Sequence, residues 1–398
     1  MQFKVCLIPV LLFSVFTAGA QDTLTNKKNS KYIFKSVYNT EATSVKDQCK
    51  TATCWSFSSL SFLESELLRK GKGNHDLSEM FIVRWGYIEK AITYIRMNGR
   101  HQFDQGGEFH DIPYIIRKYG IVPEEVYKGL NYGETRHNHD EMIAMLQGML
   151  EKLKNNPQGA YTTAWTKAVE GVVDAYLGQI PEKFTYRGKE YTPKSFAESL
   201  GLNMDDYVAV TSFTHQPLYR PFAIEVPDNW SMQTAYNVSL DEMIGCMSTA
   251  LEKGYSVAWA ADVSEKGFSF RDGIAIVPTS DTLIKKKGED SKYFNDAGAQ
   301  KSSSAFDQPY PEKTITPELR QRAFDQQITT DDHGMHITGM VKDQNGTRYF
   351  VTKNSWGTVN YLQGYLYVSE PYARYKTISI LVHKDALDKK MKEKLNID

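Results

Sequence analysis

The sequence predicts an α+β protein with its helices before residue 254 and its strands after it. Apolar residues recur at helical spacing in the run that follows Cys54, where Phe57, Leu60, Leu63 and Leu67 share one face. Strand-like patterns appear at about 255–262, 333–342, 347–354, 362–368 and 376–382. Segregation of this kind favours a helical lobe beside a sheet lobe, with a site at the seam between them.

The first twenty residues have the features of a secretory signal peptide. Lys4 supplies a positive charge, Val5 to Phe16 forms a short apolar run, and Ala18-Gly19-Ala20 fits a cleavage site. This run is too short to cross a bilayer, although a retained membrane anchor is the alternative. We therefore expect residues 1–20 to be removed near Ala20, and the mature protein to be secreted or periplasmic with no membrane insertion.

Residues 21–398 are predicted to form a single domain with four regions. These are a helical lobe at about 48–130, a helical insertion at about 131–238, a β lobe at about 239–383, and a C-terminal helix with its tail at 384–398. Residues 279–313 hold runs of lysine and serine, and we expect a surface loop there without chemistry of its own.

Composition and charge exclude several classes of function. The formal net charge of -1 gives the whole molecule no attraction to nucleic acid, so no nucleic-acid partner is predicted. Removal of Cys6 with the signal peptide leaves Cys49, Cys54 and Cys246, so at least one thiol stays unpaired, although Cys49 and Cys246 could form a disulfide. The histidines have no partners at metal-ligand spacing, and we predict no metal and no cofactor.

Cys54 stands at the start of the first strong helical pattern. A thiol in that position faces the positive end of the helix dipole and unpaired backbone N–H groups, both of which favour the nucleophilic thiolate. Gln48 lies six residues upstream and could donate a hydrogen bond to an oxyanion next to the sulfur. Taken alone, the alternative is a buried structural cysteine without reactivity.

A histidine and an asparagine follow, each in a strand-like run. His333 lies in the run Asp332 to Gly339, and Asn354 lies in the run Tyr349 to Gly357. A base and a group that orients it are the partners that a nucleophilic thiol requires. His336 is the rival base, and residues 333 and 336 of one strand face opposite sides of the sheet.

These residues in this order resemble the papain-like cysteine peptidases. The match rests on Gln48, Cys54-Trp55, His333 and Asn354-Ser355-Trp356-Gly357. The distance from Cys54 to His333 is far longer than the roughly 130–150 residues usual in the papain branch. Gly106-Gly107, Lys118 to Pro123, Phe324 and Gly364-Tyr365 resemble instead the bleomycin hydrolase and aminopeptidase C branch.

The resemblance implies a papain-like fold of two lobes with long helical insertions. The nucleophile would lie on the helical lobe, and the histidine and asparagine on an antiparallel β lobe. It also implies an enzyme that removes N-terminal residues from peptide substrates through an acyl-thioester, commonly assembled as a homo-hexamer. Its members place a His-Ala-Met segment where this chain has His333-Gly334-Met335, which favours His333 over His336 as the base.

Each matched residue receives a role from the resemblance. Cys54 would attack as the thiolate, His333 would exchange protons with it, Asn354 would fix the imidazole tautomer, and Gln48 would bind the oxyanion. Trp356 would shield the bond between His333 and Asn354 from water.

Gly106 and Gly107 would let a substrate strand approach the backbone closely, the alternative being a simple turn.

Two departures from the family limit what it implies. Ala52 stands where the family usually has glycine, and the tail after the final helix is short, with only residues 396–398 available to enter the cleft and meet a substrate amine. A cysteine endopeptidase, an amide transferase using the same thiol, and a non-catalytic peptide-binding protein therefore stay open as alternatives.

Overall fold

The structure is a computed structural model, which describes residues 24–156, 159–280 and 304–398. The predicted signal peptide lies outside the described residues, as does most of the predicted loop at 279–313. Within the described ranges, no helix has the combination of length and apolar character that a bilayer span requires.

The first helix, Cys54–Arg69 (α1), begins at the predicted nucleophile. It ends where Gly71 takes a left-handed conformation with φ +68. Several later helices begin after a serine or threonine whose side chain accepts an N–H from the first turn, as Ser239 does from Glu242. The later helices of the described residues are Glu79–Arg96 (α2), Asp111–Tyr119 (α3), Asp140–Lys154 (α4), Ala164–Leu177 (α5), Pro193–Leu200 (α6), Leu240–Glu252 (α7), Pro317–Asp325 (α8), Glu370–Lys376 (α9) and Lys389–Leu395 (α10).

The strands form one large sheet of 11 strands and one small hairpin. In chain order they are Lys35–Asn39 (β1), Phe184–Tyr186 (β2), Lys189–Tyr191 (β3), Tyr207–Thr211 (β4), Pro221–Phe222 (β5), Ala235–Asn237 (β6), Val257–Ala261 (β7), Phe268–Ser269 (β8), Ile274–Ala275 (β9), His333–Lys342 (β10), Arg348–Lys353 (β11), Tyr365–Ser369 (β12) and Thr377–His383 (β13). The order across the large sheet is β5-β6-β4-β13-β7-β10-β11-β12-β9-β8, with β1 paired to β10. Most neighbours are antiparallel, and β2 with β3 forms the hairpin.

The stretch at 131–238, predicted as a helical insertion, also contributes strands to the large sheet. Strand β4 pairs with β13, and β6 pairs in parallel with β4. These strands are short, so their alternation is too brief to predict from the sequence. Helix α3 begins at Asp111, whose carboxylate accepts the Glu108 N–H and holds a turn before the helix.

Helix α1 packs directly against the central strand β10, and this contact positions the site. Gly334 in β10 permits the close approach, since a Cβ there would lie 2.8 Å from Ser58 Oγ and 2.9 Å from the Phe109 ring. Cys54 at the start of α1 and His333 at the start of β10 therefore line one cavity at the seam.

Two hydrophobic cores lie on the two sides of this seam. The first packs α1 with α2 and the helices that follow it, including the fully buried Leu60, Phe81 and Leu146. The second lies between the sheet and α7, α9 and α10, including Met243 and Trp259. Burial of each such large apolar side chain contributes on the order of 2 kcal/mol to the stability of the fold, so the elements on both sides of the seam are stably packed.

Candidate active site

His333 and Asn354 form a buried hydrogen bond at the seam. His333 Nε2 lies 2.7 Å from Asn354 Oδ1, and both residues are nearly inaccessible to solvent. Strands β10 and β11 run antiparallel, with His336 opposite Lys353, so the residue after β11 falls beside the beginning of β10. The Ser355 N–H also donates to Asn354 Oδ1 at 2.7 Å, which identifies this atom as the acceptor.

This arrangement fixes the tautomer of His333. Because Asn354 Oδ1 accepts, the hydrogen of the neutral imidazole lies on Nε2, and Nδ1 is left with its lone pair. Nδ1 is buried and has no hydrogen-bond partner among the described residues. An unprotonated nitrogen at this position can take a proton from a neighbouring thiol.

Trp356 covers the imidazole. Its ring stacks on His333 with the centroids 4.5 Å apart and the planes 29° apart. Phe270 packs edge-on against the same Trp356 indole with the ring centroids 5.4 Å apart, and this contact holds the indole in place. An apolar cover excludes water from the His333–Asn354 bond and strengthens it.

The thiol of Cys54 is buried in the same cavity as His333. Burial raises the pKa of Cys54 to about 12, and the carboxylates of Asp331 and Asp228 act in the same direction. Hydrogen bonds from the backbone N–H groups of Gly334 and Trp55 oppose this shift.

The pKa of His333 moves in the complementary direction. Burial lowers it to about 4, against the hydrogen bond with Asn354 and the charge of Asp332, which both raise it. The resting pair is therefore a neutral thiol beside a neutral imidazole. Transfer of the proton from sulfur to nitrogen creates both charges together, so the pair keeps its net charge and each member stabilises the other.

Gln48 links the loop before α1 to the segment that carries Asn354. Its Oε1 accepts from Ser355 Oγ at 2.6 Å, and its Nε2 donates to the Thr51 carbonyl at 2.7 Å. The second contact takes one of the two amide hydrogens of Gln48. These bonds lock a buried amide whose remaining hydrogen can serve as a donor.

Gly106 and Gly107 line the cavity together with Cys54. The space left by their missing side chains is filled by protein atoms. A Cβ on Gly107 would lie 2.9 Å from the Trp55 ring, and one on Gly106 would overlap the Asp228 carboxylate. Close packing against Trp55 therefore explains why residue 107 is a glycine, and the sequence did not indicate this contact.

His336 lies in a different environment from His333. Its Nδ1 is 2.9 Å from Ser61 Oγ, which Lys353 Nζ also contacts at 2.7 Å. Residues 333 and 336 face opposite sides of the strand, and the side chain of His336 bonds Ser61 rather than Asn354. The structure therefore brings His333, and not His336, to the predicted orienting asparagine.

The other two cysteines of the described residues are free thiols. Cys49 is half-buried in the loop before α1, and Cys246 is buried in the second core. No disulfide joins them. Ala52, the departure from the family pattern, lines the cavity, and its N–H donates to Gln105 Oε1 at 2.9 Å.

The tail lies away from the cavity that holds Cys54. Lys394 pairs with Glu242 of α7, and Leu395 and Ile397 pack on the second core. None of residues 384–398 lines that cavity. Entry of the tail would require the final helix to dock at the rim of the cleft, whereas α10 lies against α7, where Lys394 pairs with Glu242.

Sequence reasoning missed the acidic side chains of the cavity. Glu108, Asp228 and Asp331 line it beside Cys54 and His333. Glu108 follows the two glycines and Asp331 stands two residues before His333, so their adjacency to motif residues was a usable signal. Asp228 gives no such signal, since only the fold brings it to the site.

Comparisons with known proteins agree with this geometry. A model of the Peptidase C1-like family matches residues 14–280. Aminopeptidase C of Lactococcus lactis subsp. lactis is 24% identical over 387 residues, which cover 86% of this chain and 81% of that protein. Bleomycin hydrolase of Mus musculus is 22% identical over 414 residues, which cover 90% of this chain and 84% of that protein.

One solved structure matches nearly the whole chain. The crystal structure of PepW from Lactobacillus rhamnosis HN001 has a TM-score of 0.68 and 18% sequence identity, and the match covers 91% of this chain and 84% of that one. This likeness shows a shared fold.

Proposed function

Because this chain belongs to the Peptidase C1-like family and is a cysteine peptidase, we propose that it removes N-terminal residues from peptides with Cys54 as the nucleophile. The resemblance to the bleomycin hydrolase and aminopeptidase C branch is thereby confirmed. The observation that carries the proposal is the buried His333–Asn354 hydrogen bond, which leaves Nδ1 of His333 unpaired in the cavity of Cys54.

The first half of the proposed reaction forms an acyl-enzyme. His333 Nδ1 takes the proton of Cys54, and the thiolate attacks the scissile carbonyl carbon. The oxyanion that forms accepts hydrogen bonds from the Cys54 N–H and the Gln48 amide. When the C–N bond breaks, His333 gives its proton to the leaving amine, and the acyl group stays on sulfur as a thioester.

The second half releases the acyl group. Water replaces the leaving amine, His333 takes one of its protons, and the hydroxyl attacks the thioester carbonyl. Collapse breaks the C–S bond and releases the carboxylic acid. The proton on His333 returns to Cys54, while Asn354 keeps the imidazole in one orientation throughout.

The cavities beside the site suit a short acyl part and a long leaving part. The cavity next to Cys54 is about 30 Å³. A second cavity of about 1100 Å³ is lined by Trp356 together with Tyr132, Arg136 and Phe270. A peptide chain leaving past Trp356 has room there, which supports removal of terminal residues rather than internal cleavage.

We propose further that the enzyme is exported and acts on peptides outside the cytoplasm. This rests on the signal-like residues 1–20, and N-terminal sequencing of the protein from the producing cells should find a start near Gln21. A homo-hexamer is also proposed from the family resemblance, and light scattering after size exclusion would measure it.

The test of the proposed function compares cysteine variants on fluorogenic peptides with a free amine. Cys54→Ala should abolish hydrolysis while substrate still binds, because no other described thiol lies in the cavity of His333. Cys49→Ser and Cys246→Ser are the matched controls and should keep most of the activity. Turnover by Cys54→Ala at the wild-type rate would refute the proposal, and binding without turnover by the wild type would identify a non-catalytic peptide-binding protein.

A further inference from the structure

The cavity next to Cys54 is lined by four acidic side chains from three separate parts of the chain. Glu108 lies in the turn before α3, Asp228 comes from the segment between β5 and β6, and Asp331 and Asp332 precede β10. The cavity volume of about 30 Å³ suits a group of the size of a water molecule or an ammonium head.

Glu108 is buried, and one oxygen of its carboxyl group has no donor. The residue is 3% exposed, and its Oε1 has no hydrogen-bond partner among the described residues. Burial raises the pKa of Glu108 well above its usual value, and the charge of Asp331 and a hydrogen bond with the Asp331 carboxyl act in the same direction. A buried carboxyl oxygen without a donor costs about 1–3 kcal/mol, which a ligand with N–H groups would recover.

Asp228 lies directly on Gly106. Its carboxylate occupies the space that a side chain at Gly106 would take, so it stands within the cavity that adjoins Cys54. Burial raises the pKa of Asp228, and Lys90 acts in the opposite direction. The Asp228 carboxylate covers Gly106, and it therefore limits how far the acyl part of a substrate can extend past Cys54.

The nearest buried cation does not neutralise the cavity. Lys90 Nζ donates to the backbone carbonyls of Asp104 and Gly106. Its own pKa is lowered by burial, and four acidic side chains line the cavity. Burial raises the pKa of Glu108, Asp228 and Asp331, and a positively charged ligand would favour their ionised forms.

We propose that this cavity is the subsite for a cationic group on the acyl side of the scissile bond, and that its occupant is the free α-ammonium of the substrate. The proposal rests on the proposed peptidase function, since it assigns the substrate class of the same site. An ammonium group donates N–H bonds to Glu108, Asp228 and Asp331 together, and an unblocked first residue would hold its carbonyl at Cys54.

The size of the cavity distinguishes the α-ammonium from the side chain of lysine or arginine. A guanidinium with its three-carbon stem needs more than about 30 Å³, whereas an ammonium on the first residue needs little more than the volume of a water molecule. This interpretation also gives the chain an amine-binding group that does not depend on its C-terminus, which docks on α7.

The experiment measures kcat/KM for two pairs of coumarin substrates. The first pair is alanyl-coumarin with a free amine and its acetylated form. The second pair is acetyl-arginyl-alanyl-coumarin and its neutral match, acetyl-glutaminyl-alanyl-coumarin. The wild type should prefer the free amine over the acetylated form by about tenfold or more. Asp228→Asn and Glu108→Gln should each reduce that ratio at least tenfold. Glu225→Gln removes an exposed carboxylate from the same segment as Asp228 and should leave the ratio unchanged.

Three results would overturn the inference. If the wild type cleaves free and acetylated substrates equally, the cavity does not recognise the amine and the preference for N-terminal residues falls with it, although hydrolysis by Cys54 stands. If folded Asp228→Asn and Glu108→Gln keep the wild-type ratio, the carboxylates do not recognise the amine. If only the acetyl-arginyl substrate is preferred, the occupant is a side chain and not the α-ammonium. Failure of every substrate would instead refute the proposed function.

Discussion

Replacing Asn354 by alanine tests the part of the site that the geometry defines best. The side chain accepts from His333 Nε2 at 2.7 Å in a buried position under Trp356. When the imidazole carries a positive charge this is a hydrogen bond to an ion, worth about 1.5–3 kcal/mol. Since about 1.4 kcal/mol corresponds to a tenfold change, kcat/KM should fall roughly 10- to 100-fold.

The assay is steady-state hydrolysis of a free-amine coumarin peptide, with thermal unfolding of the same samples. Asn354 also accepts the Ser355 N–H, so a small loss of stability is expected together with the loss of activity. Asn345→Ala, an exposed asparagine in the turn between β10 and β11, is the matched control and should change neither quantity. A folded Asn354→Ala enzyme with wild-type kcat/KM would refute the orienting role.

The other predictions concern the base, the oxyanion donor and a buried acid. His333→Ala should lower kcat by ~10³-fold or more, whereas His336→Ala should retain most activity in the same assay; equal losses would remove the basis for choosing between them. Gln48→Ala should lower kcat by about 10²–10³-fold with little change in KM, and an effect confined to KM would contradict oxyanion binding. Burial raises the pKa of Glu312 to about 7, so its proton favours the folded state and stability is lost as pH rises from about 4.5 through 7. Urea unfolding at pH 5 and pH 8 measures this loss of stability. Glu312→Gln should reduce the loss by up to about 3 kcal/mol, and an equal loss in the wild type and the variant would contradict the prediction.

The features predicted well are those whose evidence is local in the chain. Helix α1, which begins at Cys54, was predicted because the apolar spacing from Phe57 to Leu67 extends over about three turns. Strand β10 was predicted with its observed bounds, and nine of its ten residues are buried. The predicted α+β papain-like fold is confirmed by the shared fold with the solved structure.

The features missed depend on contacts between distant segments. Asp228 reaches Gly106 only because the segment between β5 and β6 folds across the seam, and no periodicity encodes that path. The sequence also did not predict that α10 docks on α7, because the pairing of Lys394 with Glu242 joins residues 152 positions apart. Burial of carboxylates beside Cys54 also opposes the usual preference of charged residues for the surface, so pattern reasoning places them outside.

Trapping the acyl-enzyme is the most direct test of the central claim that Cys54 forms a thioester. The wild-type enzyme would be mixed with an excess of an alanyl ester, quenched in acid within milliseconds to seconds, and digested for peptide mapping by mass spectrometry. We predict an added alanyl mass on the peptide that contains Cys54, removable by hydroxylamine and absent when turnover is complete. An alanyl adduct on Cys49 instead, or sustained hydrolysis after Cys54 has been fully alkylated, would contradict the account.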